Sequence, residues 1–135
     1  MTVPDGTELS GLRILVVEDT LLIAELIVEE LELVGYEVVG PAPRVDIGLA
    51  LALAERLDGA LLDVNLNGEM CFPIADVLVQ RSVPMAFLTG YGEGTLPPAY
   101  EHMPRLVKPF RVEELTSLVR SQFARRRSET GPAAA

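Results

Sequence analysis

Cysteine and histidine each occur once in these 135 residues, and tryptophan does not occur at all. The single thiol, Cys71, excludes an intramolecular disulfide framework and fits a reducing cytosol. The single histidine, His102, excludes a histidine-built metal centre; it falls in an irregular stretch and reads as an exposed loop position. Basic residues are scarce: 11 Lys and Arg stand against 20 Asp and Glu, a net charge of −9. That balance argues against binding to nucleic acid or to an anionic membrane. No apolar run is long enough to span a bilayer. Residues 1–10 carry Asp5 and Glu8 and lack the basic start and apolar block of a secretory signal, so a cytoplasmic location is expected. Neither a Gly-x-x-x-x-Gly-Lys loop nor a Gly-x-Gly-x-x-Gly after the first strand is present, which weakens nucleotide-binding readings.

What is present is apolar. Hydrophobic residues make up 49% of a chain whose length suits one domain with a real core. Short β-branched runs alternate with helical patterns. Leu12–Val17 reads as a buried strand, followed by a helix to Val34 that Thr20 can cap and Gly35 can end. Within that helix Leu22, Leu26 and Leu33 mark the expected apolar stripe, with Glu25, Glu29, Glu30 and Glu32 mostly on the wet side. A second strand at 36–39 is expected to stop at Gly40-Pro41, and a helix spans 43–57. A third strand at 60–64 leads into a polar loop at 65–69 and a helix at 73–80. The fourth strand covers 84–88. Gly90, Gly92, Gly94, Pro97 and Pro98 then make any fourth helix short or mobile. Leu106-Val107 closes a fifth strand, and 112–126 is the last helix. The order (βα)5 with short connections predicts an α/β fold with a doubly wound five-stranded parallel sheet. Residues 1–10 read as a flexible leader, 11–127 as the domain and 128–135 as a disordered tail.

Four of the strands deliver a polar group at their C-terminal ends. Ile14–Val17 runs into Glu18-Asp19, Ala60–Leu62 into Asp63, Met85–Leu88 into Thr89, and Leu106-Val107 into Lys108. In a parallel sheet those ends share one edge, where ligands bind. Mg²⁺ takes oxygen ligands and keeps several waters. Asp19 and Asp63 can supply two carboxylates, Glu18 can hold a coordinated water, and the Asn65 carbonyl can be a further ligand. Aspartyl carboxylates attack phosphorus, so Asp63 is also a candidate nucleophile. Lys108 can neutralise phosphoryl oxygens and Thr89 can donate a hydrogen bond to one. Cys71 reads as a small packing residue and Arg125-Arg126-Arg127 as a solvated helix tip.

These residues resemble the receiver domain of two-component response regulators over about Leu12 to Phe123. The resemblance rests on Val16-Val17-Glu18-Asp19, Leu61-Leu62-Asp63-Val64-Asn65, Thr89-Gly90 and Lys108-Pro109-Phe110. It implies the flavodoxin-like strand order 2-1-3-4-5. It also implies that Asp63 accepts a phosphoryl group from a histidine kinase or phosphotransfer protein. Glu18, Asp19, Asp63 and Asn65 would then serve Mg²⁺, while Thr89 and Lys108 read the phosphate. The segment Val83–Tyr91 is similar to the Pro-Phe-x-Phe-Ala-Thr-Gly-Tyr signature of stand-alone alphaproteobacterial receivers paired with kinases of the HWE or related type; Met85 and Leu88 depart from it. Typical receivers carry Tyr or Phe three positions before the lysine, and here that residue is Arg105. Tyr91 is the candidate to take over the aromatic switch role, with Gly90–Pro98 as the bistable element. The expectation is therefore a phospho-accepting signalling domain, not an enzyme acting on an external substrate. It would carry no output domain and would read out by contact with a downstream protein. A phosphate sink and a constitutive receiver-like binding module are the alternatives.

Overall fold

The computed structural model describes residues 11–90 and 96–124. Its strands are β1 (Arg13–Val17), β2 (Glu37–Ala42), β3 (Gly59–Asp63), β6 (Met85–Gly90) and β7 (Arg105–Lys108), which form one parallel sheet in the order β2-β1-β3-β6-β7. Counting only these five, that is the 2-1-3-4-5 order. The helices are α1 (Leu21–Val34), α2 (Val45–Ala54), α3 (Phe72–Gln80) and α4 (Val112–Val119), the last continuing as a π-helical turn over Arg120–Ala124. A short antiparallel hairpin, β4 (Asn65–Leu66) and β5 (Glu69–Met70), follows β3. Between β6 and β7 the described residues form turns, with no helix among them.

Strands buried on both faces explain the uninterrupted apolar runs. Leu15, Val17, Leu62 and Phe87 face one core layer, under α2 and α3; Ile14, Val16, Leu61 and Leu88 face the other, under α1 and α4. On the π-helical turn after α4 the Phe123 ring is fully buried in the place left by Gly59: a Cβ on Gly59 would stand 2.6 Å from a Phe123 ring carbon. A second aromatic contact holds the β6–β7 connection. Tyr100 stacks on Phe72 at 5.6 Å between ring centroids, meets Phe87 edge-on, and its hydroxyl donates to Asp76.

Three local expectations change. β2 does not stop at Gly40-Pro41 but continues to Ala42 through a bulge, because Leu15 pairs with Val39 while Val17 pairs with Ala42. Gly40 makes the bulge feasible: it has φ +101°, and a Cβ there would lie 2.9 Å from the Val16 carbonyl oxygen. Thr20 occupies the N-cap position of α1 without a side-chain cap bond. The buried stripe of α1 is Ala24, Ile27 and Leu31, whereas Leu22 and Leu33 are 77% and 74% exposed. The leader, the tail and Arg125–Arg127 lie outside the described residues.

Candidate phosphoryl and metal site

The parallel sheet brings the polar strand ends to one edge. Glu18 and Asp19 follow directly on β1, Asp63 ends β3, Lys108 ends β7, and Gly90 at the end of β6 pairs with Lys108. A cavity of about 350 Å³ opens over this edge, walled by Asp19, Thr20, Asp63, Asn65, Asn67, Gly68, Gly90 and Lys108.

Lys108 is the centre of the arrangement. Its Nζ lies 3.1 Å from Asp63 Oδ2 and 2.9 Å from Glu18 Oε1. Asp63 and Glu18 are only 3% and 2% exposed, so both carboxylates depend on protein donors. Asp63 Oδ1 accepts the Asn65 N–H at 3.3 Å, and Glu18 Oε2 accepts the Thr20 N–H at 3.1 Å. Glu18 Oε1 has the Lys108 charge beside it but no directed hydrogen bond. Glu18, Asp19 and Asp63 each offer one oxygen within 4.8 Å of the others. A set of close carboxylates with one under-satisfied buried oxygen fits a hard divalent cation and its waters.

The electrostatics follow from burial. Desolvation, then the neighbouring Glu18 charge, push the Asp63 pKa up to about 7, although Lys108 pulls against both. Burial also works against the Lys108 charge. The hydrogen bonds to Glu18 and Asp63 outweigh it and hold the ammonium above its ordinary pKa. One ammonium therefore compensates two buried carboxylates only in part, with Asp19 adding a third. Cys71 is buried nearby, and desolvation followed by the Asp63 charge raises its thiol to about 12, which suits packing rather than reactivity.

Glu18, Asp19, Asp63 and Lys108 are brought together as the strand ends implied, and Asn65 adds its N–H. Thr89 is buried in register with Val107, and the β6 residue on the cavity wall is its neighbour Gly90. Arg105 is exposed at the start of β7, donating to the Glu101 carbonyl, and is not part of the wall. Tyr91 lies outside the described residues. Sequence reasoning missed the hairpin wall. Asn67 and Gly68 both have positive φ, 56° and 93°, and the Gly68 N–H donates to Asn65 Oδ1 at 2.6 Å. The Asn-Gly pair is itself a strong hairpin signal that could have found it.

No family model matches the chain, and no curated protein matches it. Solved structures do. SdrG from Sphingomonas melonis Fr1 is 34% identical, over 79% of this chain and 92% of its own, with a TM-score of 0.72. The response regulator PhyR from Brucella abortus is 26% identical over 95% of this chain and 55% of its own, at TM-score 0.73. The receiver domain of the sensor histidine kinase PA1611 from Pseudomonas aeruginosa PAO1 is 24% identical over 85% and 98%, at 0.72; its structure has magnesium coordinated in the active-site cleft.

This chain belongs to the response-regulator receiver domains.

As a receiver domain it is of a signalling class rather than an enzyme class. No helix among the described residues is long and apolar enough to cross a membrane.

Proposed function

We propose that this receiver domain accepts a phosphoryl group on Asp63 from a histidine kinase or phosphotransfer protein and signals through protein contact. The observation that carries the reading is the Lys108 ammonium set between Asp63 and Glu18 on a cavity lined by a third carboxylate, Asp19. Asp19 and Asp63 would hold Mg²⁺, with Glu18 acting through a bound water and the Asn65 carbonyl as a further ligand. The cation would supply charge neutralisation for the phosphoryl oxygens.

An Asp63 oxygen attacks phosphorus, the phosphorus–nitrogen bond of the donor phosphohistidine breaks, and the imidazole leaves with the electron pair and takes up a proton. Asp63 must be ionised to attack, and the Lys108 bond favours that state. Lys108 then spreads positive charge over the transferred group. Thr89, one residue before the cavity wall, would donate to a phosphoryl oxygen once the group is bound. The likeness of Val83–Tyr91 to the stand-alone signature supports membership of that subgroup and an HWE-type kinase as donor.

One observation favours a second reading, the phosphate sink. Arg105 is a surface residue bonded to Glu101, where a receiver usually carries its switch aromatic, so a phospho-dependent change of that surface lacks its usual part.

The test is incubation with a small-molecule phosphodonor, with and without Mg²⁺, read by intact mass. Wild type should gain one phosphoryl group only with Mg²⁺, and Asp63→Asn none. Labelling that survives Asp63→Asn or chelator would overturn the assignment. Rapid loss of the label, with no partner binding that depends on it, would select the sink.

A further inference from the structure

The helix α2 has no polar face. Of its ten residues, Val45–Ala54, only Asp46 carries a polar side chain. Val45, Gly48 and Ala52 form its buried side, and Ile47, Leu49 and Leu51 are half-buried against the same core. Asp46, Ala50, Leu53 and Ala54 are exposed, at helical spacings of four, seven and eight from the first, so they share the outer side. Leu53 is 61% exposed there. A surface helix ordinarily turns charged or polar residues to water, and a helix that is apolar all round belongs under a cover. No α2 residue walls the phosphoryl cavity, so that site does not use this face.

The face is rigid. A Cβ on Gly48 would stand 2.7 Å from Ile74 Cδ1 and 3.2 Å from Val17 Cγ2, so the helix rests directly on α3 and β1. Arg81 clamps its far end, donating to the Ala52 carbonyl and, at 2.8 Å, to the Glu55 carbonyl. The outer side therefore cannot roll inward, and its cover must come from outside the domain.

Charge selects the occupant. Much of the acidic excess stands elsewhere: α1 holds four glutamates and no basic residue, whereas the outer side of α2 has Asp46 at its start and Arg56 just past its end. Each is paired only with a sequence neighbour, Asp46 with Arg44 at 3.2 Å and Arg56 with Asp58 at 3.3 Å. Exposed pairs of that kind are worth little and exchange readily. A second copy laid antiparallel, with Leu53 over its neighbour's Ala50 about a two-fold axis, brings Asp46 of each copy to the end of α2 where the other's Arg56 stands. One rotation thus satisfies both charges twice and covers both leucines. An anionic membrane is a poorer match, because α2 has no Lys or Arg of its own and the chain carries a net charge of −9.

We infer that α2 is the face through which two copies of this chain pair as a weak antiparallel dimer. The inference does not depend on Asp63 chemistry. Sedimentation equilibrium of the full chain tests it, with backbone amide shifts followed over the same dilution series. The mass should climb from 14.6 kDa towards twice that between about 10 μM and 1 mM, as suits an interface below the standard size. The shifts should centre on 44–56. Leu53→Ser and Ala50→Glu should each weaken association at least tenfold, while Leu33→Ser, on α1, should associate as wild type. Asp46→Arg and Arg56→Asp should each weaken it about threefold at low salt, and the double swap Asp46→Arg/Arg56→Asp should recover wild-type association. All five positions are exposed, so these variants retain the fold, which circular dichroism verifies. A mass fixed at 14.6 kDa up to 1 mM, association unchanged in Leu53→Ser and Ala50→Glu, or shifts centred on another face would overturn the proposal. So would binding to phosphatidylglycerol vesicles that Leu53→Ser abolishes, which would assign the face to a membrane.

Discussion

Replacing Asp63 by Asn should stabilise this protein in chelator at neutral to alkaline pH. The native carboxyl has a pKa of about 7, because burial and the Glu18 charge disfavour its ionised form, against an ordinary value of 3.8. Between those values the native state holds more protons than the unfolded chain, so stability falls as pH rises through that window and the loss is complete above about 7. Three units at 1.36 kcal/mol each set an upper bound of about 4 kcal/mol. Water at the cavity mouth screens the interaction, and Asn forfeits the charge-assisted bond from Lys108, which reduces the net gain to about 2 kcal/mol. Urea unfolding in chelator at pH 5 and pH 8 measures it: wild type should lose stability between the two relative to Asp63→Asn. Saturating Mg²⁺ should reverse the order at pH 8, since a cation at 100 times its dissociation constant adds about 2.7 kcal/mol to the form that binds it. A wild type that gains stability against the variant from pH 5 to pH 8 in chelator would refute the reasoning.

Removing the ammonium with Lys108→Met leaves Glu18 and Asp63 buried without a counter-charge. It should cost about 3 kcal/mol in chelator by urea unfolding, and phosphoryl uptake should slow by at least tenfold by intact mass. Gly59→Ala should destabilise by about 1–3 kcal/mol, because its Cβ would meet the Phe123 ring; the double variant Gly59→Ala/Phe123→Leu should recover part of the loss in the same assay. Tyr100→Phe keeps the ring stack on Phe72 and removes only the bond to Asp76, which is exposed. Its cost should be about 1 kcal/mol by thermal unfolding, well below that of Tyr100→Ala.

The site was legible in the sequence because its parts are strand ends. A buried parallel strand writes itself as an apolar run, and the first one or two polar residues after it are fixed at the sheet edge with little freedom. Glu18, Asp19, Asp63 and Lys108 all obey that rule. The face of α1 was not legible. Its leucines permit more than one apolar stripe, and the choice is made by what lies beneath: the sheet takes Ala24, Ile27 and Leu31 and leaves Leu22 and Leu33 outside. The extension of β2 was hidden for a related reason. Gly-Pro reads as a stop, yet here it is a bulge that needs the register of β1 to be recognised. The hairpin at 65–70 was hidden by brevity, as two strands of two residues carry no period; only Asn67-Gly68 speaks for it.

The two poles of the sheet differ in what can act on them. At the pole remote from the cavity, Phe123 is seated over Gly59 and Arg13 pairs with Glu37 and Glu55 at the partly exposed rim. Steric fit there is indifferent to protons and ions, and the rim pairs are open to water. At the other pole the strand ends are held by buried, incompletely balanced charge. Solvent composition thus tightens or loosens one end of the molecule while the other stays fixed, and the same strands connect them. The far pole is a built-in reference frame: a spectroscopic label beside Phe123 should stay silent while one beside Asp63 responds to every change of pH, cation or phosphate.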